Sequence, residues 1–101
     1  MKKLPSLIPA LLLGLSVSGT AQAVDISQGA MLANSCAACH GTDGNSPGAI
    51  PSLHAKSAEF ISNSLKEFRS GDRPSTVMGR HAGGYSDQEI QWIADYFAGL
   101  K

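Results

Sequence analysis

Cys36-Ala37-Ala38-Cys39-His40 gathers both cysteines of the chain and one of its three histidines into five consecutive residues. The C-x-x-C-H spacing is that of covalent haem attachment. Two thiols at this separation meet the two vinyl groups on one edge of a porphyrin, and the histidine directly after them turns its imidazole onto the iron. Small Ala37 and Ala38 let the backbone lie against the ring edge, and Gly41 lets the chain leave without a side-chain clash. Other chemistries fit less well. A thioredoxin-like dithiol requires a βαβ context. Zinc requires four ligands, usually as two separated pairs. A disulfide across so short a loop constrains little.

An iron held by His40 has a second face, for which Met31, His54, Met78 and His81 are the candidates. Met31 lies on the segment that leads into the motif, so it is expected to pack in the core on the side of His40. His54 closely follows the first loop and is expected at the surface on that same side. Met78 stands well downstream in a polar, glycine-containing loop, placed to cross to the far face. It is the favoured axial ligand, with His81 or an open site as alternatives. A His/Met pair saturates the iron and raises its potential relative to two histidines. Both properties suit electron transfer rather than oxygen activation, so no catalytic residue is expected.

The elements that position these groups read as helices. Asp25 and Gln28 form a capping pair ahead of a helix to about Cys36, with Ile26, Ala30 and Ala33 at helical spacing. Gly41 to Pro51 is loop. Ser57 caps a second helix to about Ser70, with Phe60, Ile61, Leu65 and Phe68 on one face, and Gly71 ends it. A second loop covers Asp72 to Tyr85. Ser86 and Glu89 then form a capping box, followed by Ile90, Ile93, Ala94 and Phe97 on one stripe. No segment alternates like a strand. The expectation is an all-α domain of three helices and two long loops, the loops needing an object to wrap around.

Residues 1–23 read as a signal peptide: Lys2 and Lys3, an apolar stretch from Leu7 to Val17, and the A-x-A site Ala21-Gln22-Ala23. That stretch is shorter than the ~20 residues that span a bilayer, so no stable membrane anchor is expected. The domain is then 24–101, beginning at Val24. The chain balances 8 basic against 8 acidic residues, and losing Lys2 and Lys3 leaves the remainder mildly acidic. Such a surface does not suit nucleic acid. A core of this size is barely sufficient alone, which again asks for a cofactor.

Gly29 and Leu32, the Cys36–His40 motif, Pro51-Ser52-Leu53, Met78 and the aromatic carboxy-terminal helix together resemble the class I c-type cytochromes over nearly all of 24–101. The resemblance implies a small fold of about three helices wrapped around one covalent haem c. It implies that the Pro51 carbonyl accepts a hydrogen bond from His40, fixing the ring orientation. It implies crossed terminal helices, with Gly29 against Tyr96 or Phe97. More narrowly, Cys39 through Ser46, and Phe68-Arg69-Ser70-Gly71 through Met78-Gly79-Arg80 to Gly84-Tyr85-Ser86, are similar to the monohaem cytochrome subunit of flavocytochrome c sulfide dehydrogenase. That similarity implies a periplasmic electron-transfer subunit in a heterodimer with an FAD-containing flavoprotein that oxidises sulfide, with other redox proteins as acceptors. A free shuttle cytochrome is the alternative, and a small periplasmic thiol oxidoreductase is the rival from another class. Some relatives in that family carry two haem domains. The single motif here predicts one haem. Arg80, beside Met78, is either a partner contact, a haem-propionate partner or a solvated loop charge.

Overall fold

The computed structural model describes residues 26–100 together with 2–6, 9, 14, 16 and 18–20 ahead of them. Most of the apolar run of the expected signal peptide, its expected cleavage motif Ala21-Gln22-Ala23, Val24 and the expected cap Asp25 lie outside the described residues. The described chain is all-helical, with five helices: α1 Gln28–Ala33, α2 Ala37–His40, α3 Ala58–Ser70, α4 Met78–Gly83 and α5 Asp87–Ala98. Among the described residues no helix is long and apolar enough to cross a membrane.

The expected first helix is split in two, and it starts from a different cap. Ser27 Oγ accepts from Ala30 N at 3.1 Å, so α1 begins at Gln28. Ser35 Oγ then donates to the Leu32 carbonyl at 3.1 Å. The Cys36 and Ala37 amides each reach back three residues, to Ala33 and Asn34. This tightened turn ends α1 and restarts the chain as α2, a single turn that carries the C-x-x-C-H residues.

α3 and α5 follow their sequence signals closely. Ser57 Oγ accepts from Phe60 N at 3.1 Å, and Gly71, at φ 85°, closes α3 in the left-handed conformation that suits glycine. Its inner face is narrower than expected: Ile61 and Leu65 are buried and Phe68 packs beside them, whereas Phe60 is 51% exposed. α5 opens on a complete capping box, Glu89 N to Ser86 Oγ at 3.1 Å and Ser86 N to Glu89 Oε1 at 3.0 Å. Ile90, Ile93, Ala94 and Phe97 line its buried stripe. Fully burying the three largest of these contributes about 1.5–3 kcal/mol each.

α4 replaces part of what reads as a loop. Gly79, Gly83 and Gly84 argue against a helix locally, but Ala82 is completely buried and the turn packs against α3. Ser75 Oγ accepts from Gly79 N at 2.8 Å and satisfies one amide of the first turn. Tertiary packing therefore overrides the glycine penalty. α5 crosses α1 on one side and α3 on another, so it is the shared wall of the core. At the first crossing Gly29 faces the Trp92 backbone and Tyr96 Cβ, whereas Phe97 turns inward to meet Gly44.

Candidate haem site

α2 places three chemically active groups on one turn. Cys36 is its buried N-cap residue, Cys39 is exposed, and His40 ends it. Both sulfurs are free of any disulfide. Burial pushes the Cys36 thiol above its ordinary pKa. A thioredoxin-like dithiol requires a βαβ context, and the described chain is all-helical.

His40 Nδ1 lies 2.6 Å from the Pro51 carbonyl oxygen. A carbonyl only accepts, so Nδ1 carries the proton and Nε2 is left as the lone-pair donor. The loop that delivers Pro51 is anchored on both sides. Leu53 N donates to the Gly44 carbonyl at 2.8 Å, and Ala55 N to the Phe97 carbonyl at 3.1 Å. His54 Nδ1 donates to the Asp43 carbonyl at 3.1 Å, which holds this half-buried histidine in the loop framework. Gly44, at φ 74°, has Leu53 Cβ and Phe97 Cε1 each 3.0 Å from where a Cβ would stand. The tight turn of Thr42–Gly44 thus seats the proximal loop on α5. Asp43 within it adopts φ 54°, and its carboxylate accepts from Tyr96 OH at 3.4 Å.

Met78 opens α4 and is half-buried against the core cluster, and His81 follows it on the exposed side. Arg80 is exposed. Met31 departs from the core-packing expectation, being 59% exposed, because α1 is short and turns Gly29 and Ala33 inward instead.

Two residues that sequence reasoning passed over join these halves. Ser35 Oγ lies 3.0 Å from Tyr85 OH and 3.5 Å from His81 Nε2. Ser35 left no signal of its own. Tyr85 stood only as part of the Gly-Tyr-Ser element, with nothing to pair it with Ser35.

The donor set fits a c-type haem: two thiols and an imidazole on one turn, the imidazole Nε2 uncommitted, and a half-buried thioether on another element. Residues 26–101 match the family model for cytochrome c. This chain belongs to the cytochrome c family. It is an electron-transfer protein carrying one covalently bound haem c, and Cys36 and Cys39 are its cysteine pair. When bound, the haem supplies the one-electron couple, and the protein binds and orients it.

This cytochrome c is 56% identical over 75 residues to the cytochrome subunit of sulfide dehydrogenase of Chlorobaculum tepidum, covering 74% of this chain and 68% of that one. It is 38% identical over 78 residues to cytochrome c-554(548) of Halomonas halodenitrificans, covering 73% of this chain and 94% of that one. It is 36% identical over 97 residues to cytochrome c4 of Pseudomonas aeruginosa, covering 94% of this chain but only 48% of that longer relative.

Proposed function

We propose that this cytochrome c is the periplasmic haem subunit of a sulfide-oxidising complex, taking electrons from an FAD-containing flavoprotein in a heterodimer and passing them to a downstream redox protein. The observation that carries this reading is the 56% identity to a cytochrome subunit of sulfide dehydrogenase. Residues 1–23 act as the export signal, cleaved after Ala23, and 24–101 is the working domain. Cys36 and Cys39 form the thioether bonds. His40 Nε2 and the Met78 sulfur take the two axial positions, and Pro51 holds the imidazole ring through its carbonyl.

The chain's own residues bind and orient. α2 presents the attachment turn, the His40–Pro51 bond orients the imidazole, and α5 backs the loop that carries Pro51. A closed ligand set keeps small molecules from the iron and restricts the traffic to electrons. A second reading, a free shuttle with no permanent partner, is favoured by the match that spans 94% of the short cytochrome c-554(548).

Native isolation under mild conditions separates the two. Co-elution of a flavin-containing chain, and haem reduction by sulfide only in its presence, supports the complex. Rapid direct reduction by sulfide of the isolated cytochrome, with no co-eluting flavoprotein, overturns it.

A further inference from the structure

We propose that Ser35 and Tyr85, with His81 beside them, are positioning residues that form a latch holding α4, and with it Met78, onto the haem-attachment segment. The proposal rests on Met78 as axial ligand. Ser35 immediately precedes Cys36, and Tyr85 stands just beyond α4, so the pair ties together the two stretches that would grip opposite faces of the haem. The Ser35 hydroxyl spends its one proton on the Leu32 carbonyl at 3.1 Å, so Tyr85 OH donates to Ser35 Oγ at 3.0 Å. His81, three residues after Met78 in α4, approaches Ser35 Oγ to 3.5 Å through Nε2. Its ring meets Tyr85 edge-on, with centroids 5.9 Å apart and planes at 86°.

Arg69 braces the latch from behind. Its Nη1 donates to the Tyr85 carbonyl at 3.1 Å, and its other terminal nitrogen pairs with Asp87. α4 has only six residues, too few to persist alone, and its main packing partner is α3. Among the described residues, the hydrogen bonds that join the attachment segment to α4 and its exit are those at Ser35. An added ligand reaches the iron only if Met78 withdraws, and the latch opposes that withdrawal.

The test is an imidazole titration of the oxidised holoprotein, read together with the near-infrared sulfur-to-iron band. Tyr85→Phe keeps the ring and the Arg69 contact, and Ser35→Ala removes the acceptor. Each should raise imidazole affinity about five- to tenfold, the ratio that a hydrogen bond of ordinary net strength is worth. The double variant should gain no more than either single one. Ser86→Ala, which weakens the α5 cap away from the latch, should leave imidazole affinity at the wild-type value. Wild-type affinity in Tyr85→Phe and Ser35→Ala, additive gains, or an equal gain in Ser86→Ala overturns the latch. Met78→Ala is measured in parallel. If it retains the near-infrared band, the axial reading fails and the latch falls with it. If it loses the band while the latch variants behave as wild type, the latch alone is wrong.

Discussion

Gly29 and Trp92 meet backbone to backbone: any Cβ at position 29 would overlap the Trp92 carbonyl oxygen, with Tyr96 Cβ a further contact at 3.1 Å. α1 and α5 therefore cross at a separation that only glycine permits. Gly29→Val should force them apart and destabilise the holoprotein by about 1–3 kcal/mol. Denaturant unfolding checks this, with the midpoint lowered and the slope unchanged.

Replacing both Cys36 and Cys39 by Ala should leave a largely unfolded chain. Among the described residues the largest fully buried side chains are Phe97, Ile90 and Ile93, a small apolar interior. A domain of this size needs its cofactor to complete the interior. Far-ultraviolet circular dichroism decides it, because a cooperative, helical apo-protein contradicts the expectation.

Met78→Ala should abolish the near-infrared sulfur-to-iron band and lower the potential, since thioether ligation favours reduced iron. His81 stands on the next turn, exposed and 3.5 Å from Ser35 Oγ, and can leave that contact to swing inward as a substitute ligand. Met78→Ala combined with His81→Ala should therefore be high-spin and bind carbon monoxide when reduced. Optical spectra and a redox titration check both variants.

Arg69 holds the Asp87 carboxyl below its ordinary pKa, first by its hydrogen bond and then by its charge. A depressed folded-state pKa adds stability that is present above the unfolded value near 4 and is lost as pH falls through the lower folded value. Wild type should exceed Asp87→Asn in stability at neutral pH, with the difference closing under acid. Asp87 faces solvent and Arg69 is half-buried, so the gap should also shrink in high salt. Unfolding midpoints of the two proteins across pH 2–7 provide the comparison.

What the sequence disclosed follows the range of each interaction. Ser57 and Ser86 with its Glu89 act within one turn, so α3 and α5 were legible almost to the residue. The attachment motif was legible because the covalent geometry of a ring edge dictates spacing along the chain. α4 was hidden, since its glycines argue locally for a loop and its reason to be helical is Ala82 buried against α3. Met31 was misplaced because the break after Ala33, made by a serine hydroxyl, was not visible in the periodicity. The Ser35–Tyr85 contact joins residues remote in sequence, and no local pattern announces it.

The partner of His40 is a main-chain oxygen, supplied by the path of the loop at Pro51 rather than by any side chain. Every amino acid carries that oxygen, so no substitution at position 51 can delete it. Ligand orientation is thus buffered against mutational drift. Insertions or deletions between Asn45 and Leu53 would re-route the loop and disturb it more than substitutions within it. In a lineage of such chains, loop length should vary less than loop composition.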